Sequence, residues 1–186
     1  IADGHHRAAA AARAAVRLRS ERPVGGREPF AVFPAALFPA SQLAILPYHR
    51  AVHDLNGKSE IEFLSAVQQR FALVGNACPV PPGPGYAGLY LGGRWYQLHW
   101  TARAEPDPVA ALDVSVLQQQ LLGPLLGILD PRTDTRVEFI GGIRGTQALE
   151  ACVDRGGCAV AFSMAPVTVD QLMAIADAGQ IMPPKS

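Results

Sequence analysis

Tyr86-Ala87-Gly88-Leu89-Tyr90-Leu91-Gly92-Gly93-Arg94-Trp95-Tyr96-Gln97-Leu98-His99-Trp100 reads as a β-hairpin. Two runs rich in aromatic and aliphatic residues, Tyr86 to Leu91 and Arg94 to Trp100, flank Gly92-Gly93, and adjacent glycines accept the positive φ angles of a tight two-residue connection. Upstream, Gly75 to Gly88 contains Pro79, Pro81, Pro82 and Pro84, so this stretch is expected as a loop and a hinge between two lobes. Before it, Ser59 and Glu62 form an S-x-x-E capping box, and Phe63, Leu64, Val67 and Phe71 repeat at helical spacing after an Asn56-Gly57 turn. Phe30 to Leu37 and Leu43 to Val52 read as two extended, largely buried strands, and their lack of alternation suggests a sheet covered on both faces.

Downstream, Asp113 is placed to cap a helix carrying Val114, Leu117 and Leu121 and stopped by Gly123-Pro124. Val137 to Ile140 is a short strand, Thr146 to Arg155 a helix ended by Gly156-Gly157, and Cys158 to Met164 a further apolar strand. Thr168 and Gln171 then make a second capping box for a last helix ending at Gly179. Strands and helices alternate without a sequence repeat, so the fold class is α/β or α+β, a mixed sheet with packed helices. The expected division is a first lobe over 1–74, the loop 75–88 and a second α/β lobe over 89–186.

The chain is 49% hydrophobic and 17% charged, which suits a packed core and argues against disorder. Net charge is zero, but Arg7, Arg13, Arg17, Arg19, Arg22 and Arg27 leave the first 27 residues at +4. Arg13 and Arg17 lie four apart on one face, so this helix is read as solvated, and the absence of an aromatic-interleaved basic patch argues against nucleic acid as a partner. From Pro29 to His49 no side chain is permanently charged, but Pro34, Pro39 and Pro47 divide the run into pieces too short for a membrane span. Cys78, Cys152 and Cys158 are odd in number and lack a C-x-x-C pair, which makes a reducing cytoplasm the simplest compartment.

The chemistry concentrates in Asp3-Gly4-His5-His6-Arg7, which opens the alanine-rich run Ala8 to Ala12. A flexible residue beside an acid, then two imidazoles and a guanidinium at a helix start, is what holding a phosphate requires. Asp3 could serve as a general base toward a hydroxyl while Arg7 grips phosphate through parallel hydrogen bonds. A metal on Asp3, His5 and His6 is disfavoured, because adjacent residues rarely converge on one ion, and a plain helix cap by Asp3 remains the bland alternative. His49 and His53, four apart, suggest a metal pair but lack an acidic ligand at useful spacing. Lys185, between prolines and the terminal serine, is a further possible phosphate contact, and Trp95, Tyr96 and Trp100 are expected in the core or at its rim. Because Ile1 is not methionine and the box sits at the start, the chain is read as a piece of a longer polypeptide.

Ile1 to Arg7, Leu46-Pro47-Tyr48-His49-Arg50, Leu112 to Leu117 and the tail Ala176 to Ser186 together resemble the family of domains of unknown function DUF1015. The box itself is similar to the phosphate-gripping motif of the ParB and sulfiredoxin group, which includes free serine kinases. That resemblance implies a phosphate-binding helix start at the N-terminus, with Asp3 deprotonating the acceptor hydroxyl and Gly4, His6 and Arg7 holding the phosphoryl group; Asp3 and His6 are expected as catalytic, and His5 and Lys185 as further phosphate contacts. His5 falls where sulfiredoxin has its cysteine, so sulfinic acid reduction by that route is excluded. No resident metal is assigned. The implied activity is a nucleotide-dependent phosphotransferase acting on a small hydroxylated metabolite, with free serine leading, and ATP or ADP with Mg2+ as cofactor. A non-catalytic nucleotide-sensing domain is the alternative, and no oligomeric state is fixed.

Overall fold

The computed structural model describes residues 4–21, 28–101, 107–183 and 185. It divides into two compact units, Ile1–Ala44 and Ile45–Ser186. This division does not coincide with the lobes read from the sequence.

In the first unit, helix α1 spans His5–Glu21. Its alanines favour helix, and Ala8, Ala11, Ala15 and Leu18 form its half-buried stripe. Pro23-Val24-Gly25-Gly26, a helix-stopping sequence by composition, lies outside the described residues. The strand expected over Phe30 to Leu37 does not form. In its place are a 3-10 turn at Pro29–Ala31 and extended chain, followed by a second turn at Ala40–Gln42. Leu37 is 94% exposed and Phe38 65% exposed, so the apolar run is not buried. Pro29, Pro34 and Pro39 each remove a donor that a sheet ladder would need, and continuous hydrophobicity alone did not outweigh that.

The second unit is built on a six-stranded sheet in the order β2-β4-β3-β6-β1-β5. The strands are β1 (Tyr48–Val52), β2 (Ala72–Gly75), β3 (Tyr86–Leu91), β4 (Arg94–His99), β5 (Val137–Gly141) and β6 (Val160–Met164). The fold is α+β, and every pairing is antiparallel, so the expected mixed sheet is corrected to an antiparallel one. Of the expected strand Leu43 to Val52 only β1 is laddered; Pro47 marks its start. The hairpin forms as read: Leu91 opposes Arg94, and Gly92 and Gly93 take φ of +55° and +76°. The 75–88 loop joins β2 to β3, two strands of this one sheet.

Two layers cover the sheet. The larger face carries Val52, Leu89, Leu98 and Phe162 beneath α2 (Glu60–Gln68), α3 (Asp113–Leu117), α4 (Gly123–Leu126) and α6 (Val169–Asp177). Each large side chain removed from water there contributes roughly 1.5–3 kcal/mol before entropy is subtracted. The smaller face carries Ala51, Tyr90, Trp95, Ile140 and Ala161 beneath α5 (Gln147–Asp154) and its Leu149.

Both capping boxes are present: Glu62 N donates to Ser59 Oγ at 3.3 Å and Ser59 N to Glu62 Oε2 at 2.8 Å, with Thr168 and Gln171 repeating the pattern. The third helix departs from expectation at both ends. Leu112 occupies the cap position, and Asp113 Oδ1 instead accepts from Gly85 N at 2.9 Å. Gly123-Pro124 does not stop the helix. A π-helical stretch over Gln118–Leu122 widens the coil, Pro124 opens α4, and Gly127 ends it in the left-handed region at φ +70°. The wider turn spares the proline ring the clash it meets in a regular helix.

Candidate functional site

At the first-unit box, Gly4 has φ +79° and its carbonyl accepts the first helical bond from Ala8 N at 2.9 Å. A Cβ added at Gly4 would sit 3.3 Å from Arg7 Nη2, so the guanidinium folds back over this residue, and the positive φ is what favours glycine there. Asp3 lies outside the described residues. His5 and His6 are the first two residues of α1, and their side chains are likewise outside the description.

In the second unit, β1 places an arginine in the interior. Arg50 is only 5% exposed. Its Nη1 donates to Tyr48 O and its Nη2 to Lys185 O at 2.8 Å, while the guanidinium carbon lies 5.3 Å from the Phe139 ring centroid. Among the described residues no carboxylate pairs with it. Burial alone lowers its pKa to about 10, so it keeps its charge at neutral pH. A buried charge met only by carbonyl oxygens favours an anion beside it. Lys185 brings a second cation, its Nζ 5.1 Å from the Tyr48 ring centroid.

Arg50 lines a cavity of about 190 Å³ together with Ser115, Gln118, Arg132, Phe139 and Pro183. Gln118 Nε2 donates to Ile128 O at 2.7 Å, and its Oε1 is buried without a partner among the described residues. Asp130, also on this cavity, is engaged by Arg132 at 2.7 Å, and that contact holds its carboxyl at about 2. Among the described residues the cavity thus offers a cation without a carboxylate partner and an acceptor without a donor. Its volume is below the roughly 300 Å³ at which drug-sized pockets begin. A larger cavity of about 570 Å³ lies between Arg70, His99, Trp100, Asp113 and Gln171. Burial raises the Asp113 pKa there, against the opposing effect of the Gly85 hydrogen bond.

His49 and His53 do not form a metal pair. His49 is buried, and its Nδ1 accepts from Met164 N at 3.1 Å. Burial first, then the neighbouring Arg50 charge, lowers its pKa below the ordinary histidine value. Four residues along a strand span about 13 Å, too far for one ion. Trp95 and Trp100 are core residues as expected, Trp95 donating to Glu150 Oε1 at 2.7 Å. Sequence reasoning gave no role to Arg50 or Gln118. An arginine inside the apolar run Tyr48 to Val52 was the available signal; nothing local distinguishes Gln118 from Gln119 and Gln120.

The model of the family described as "Protein of unknown function (DUF1015)" matches residues 1–115, which include the box, the Leu46–Arg50 run and the start of α3. The chain belongs to the DUF1015 family. No curated protein matches it. A solved mutant of a free serine kinase in complex with AMP is similar with a TM-score of 0.45 and 11% identity, over 76% of this DUF1015 chain and 51% of that one. The chain therefore spans about half the length of that solved chain. Among the described residues, no helix is long and apolar enough to cross a membrane.

Proposed function

We propose that this protein is a nucleotide-dependent phosphotransferase acting on a small hydroxylated metabolite, with free serine the leading substrate. The observation that carries the reading is the Arg50 cavity. A buried guanidinium with no carboxylate partner among the described residues suits the carboxylate or phosphate of a small ligand, and Gln118 Oε1, without a partner among the described residues, suits a donor such as an ammonium or hydroxyl. A ligand carrying both groups within about 190 Å³ is an amino acid or hydroxy acid in size, not a nucleotide.

In this reading the nucleotide phosphates engage the box, where Gly4, His5, His6 and Arg7 supply backbone N–H groups and cationic side chains; within the second unit, Lys185 is a separate cation suited to phosphate. Asp3 takes the proton from the acceptor hydroxyl, and His6 assists as a donor. Mg2+, arriving with ATP or ADP, neutralises charge between the phosphates. An enzyme drawing on a nucleotide pool fits a cytoplasmic location.

Incubating the protein in its full-length form with ATP or ADP, Mg2+ and serine should yield phosphoserine, and Asp3→Asn should abolish turnover while nucleotide still binds. Nucleotide binding without turnover in the unaltered protein would instead identify a sensing domain.

A further inference from the structure

The smaller face of the sheet holds a second group of chemically active side chains, independent of the Arg50 cavity. Helix α5 ends in a Schellman turn: Gly156 takes φ +74°, its N–H donates to Val153 O at 2.9 Å, and Gly157 N donates to Cys152 O at 3.0 Å. That turn reverses the chain and returns Cys158 to Cys152, with Cα atoms 5.5 Å apart and the two sulfurs joined as a disulfide. The sequence showed only an odd number of cysteines without a C-x-x-C pair; the six-residue separation hid a contact that the helix terminus creates.

A disulfide does not explain the rest of the group. A carboxylate oxygen of Glu138, on β5, lies within 4.8 Å of both sulfurs. His53, just beyond β1, places Nε2 3.4 Å from Glu138 Oε1. These side chains come from four separate segments and converge because Ala51 pairs with Glu138, His53 N donates to Arg136 O, and Ala159 N donates to Val52 O. A neutral disulfide gains little from a carboxylate and an imidazole beside it. Two thiolates would repel the carboxylate unless a cation lay between them. A tetrahedral zinc site with metal–sulfur bonds of about 2.3 Å has edges of roughly 3.8 Å, so the three donor atoms need only small side-chain rotations to become one coordination shell.

We propose that in its dithiol state this group binds a thiophilic divalent cation, Zn2+, through Cys152, Cys158 and Glu138, with His53 completing the tetrahedron. Loading has two balanced steps. A dithiol reductant gives two electrons and two protons to the Cys152–Cys158 bond, leaving two thiols and its own disulfide; a phosphine does the same with one water, which supplies the protons and the oxygen of the phosphine oxide. Zn2+ then displaces one proton from each thiol. Soft sulfur donors select Zn2+ over Mg2+, so this site is separate from any nucleotide-borne ion.

The test uses the whole 186-residue chain, reduced anaerobically with a phosphine and titrated with Co2+ as a spectroscopic stand-in for Zn2+. One equivalent should bind, with a thiolate-to-cobalt charge-transfer band and the intense visible absorption of tetrahedral Co2+, and Zn2+ should displace it. Cys152→Ser and Cys158→Ser should each abolish the charge-transfer band of the bound ion at stoichiometric metal, while Cys78→Ser should leave it intact. Glu138 is exposed, so Glu138→Gln should keep the fold and weaken Co2+ affinity at least tenfold, with His53→Ala acting in the same direction. A reduced chain with three titratable thiols and no such band would overturn the proposal, as would a disulfide that resists reduction in the folded chain or a Glu138→Gln variant of unchanged affinity.

Discussion

Strand β1 serves two unlike surfaces. Arg50 and Val52 point to the side covered by α2, α3, α4 and α6, whereas His49, Ala51 and the following His53 point to the side covered by α5. On the thick side a guanidinium is held in the interior by carbonyl oxygens. On the thin side the ionisable pair His53 and Glu138 stays near water, while the buried His49 is satisfied by the Met164 N–H. The difference teaches how a single alternating strand supports two chemistries: depth determines whether a charge must find a counter-charge within the protein or can rely on solvent.

The comparison breaks first on stability. Phe162→Ala, in the thick layer, should cost about 4 kcal/mol, and Leu149→Ala, in the thin one, about 2 kcal/mol, because a single overlying helix can settle into the space. Equal shifts in denaturant melts would mean that the two layers are packed alike. Next comes the buried cation. Arg50→Met should weaken phosphoserine binding by calorimetry roughly thirtyfold, the equivalent of about 2 kcal/mol for lost charge-assisted hydrogen bonds. Unchanged affinity would remove the anion role and leave Arg50 as a packing residue. Smaller again is the start of α2 on the thick side, where Ser59→Ala should destabilise by about 1 kcal/mol in the same melts.

The smallest effect is a pH dependence belonging to the thin side. The folded state depresses the His49 pKa below 6.5, so the unfolded chain binds the proton first as pH falls. Its contribution is therefore complete above 6.5 and declines as the pH drops from there toward the folded value. His49→Gln, which can still accept from Met164 N, should flatten that part of the stability profile; an unaltered slope would assign it to another group.

Local signals in the sequence identified the elements whose structure is determined locally. The Gly92-Gly93 turn, the Ser59 and Thr168 caps and the α5 stop at Gly156 all appear where residue chemistry places them. The failures share a cause. The Phe30 to Leu37 run was read from hydrophobicity, although whether a ladder forms depends on neighbours and on the prolines within it. Gly123-Pro124 resembles a helix stop until the preceding turn widens. Of the box, the Arg7 guanidinium folds back over Gly4, whose positive φ favours glycine, with Asp3 outside the described residues. Arg50, Gln118 and the Cys152–Glu138 convergence could not be read locally, since each depends on residues far away in the chain meeting across the sheet.

The alternation of β1 also makes the molecule sensitive to a very small genetic change. Deleting one residue between Ile45 and Pro47 would pull the strand along by a single pairing step and exchange its two sides, sending His49 inward beneath α3 and turning Arg50 toward α5. The proposed Arg50 cavity would lose its guanidinium and the Cys152–Cys158–Glu138 group its His53, even though no side chain had been altered. A frame-preserving indel at this point is thus far more damaging than most substitutions within either site, and length variation among family members should be scarce immediately before Tyr48 while remaining common in the 75–88 loop.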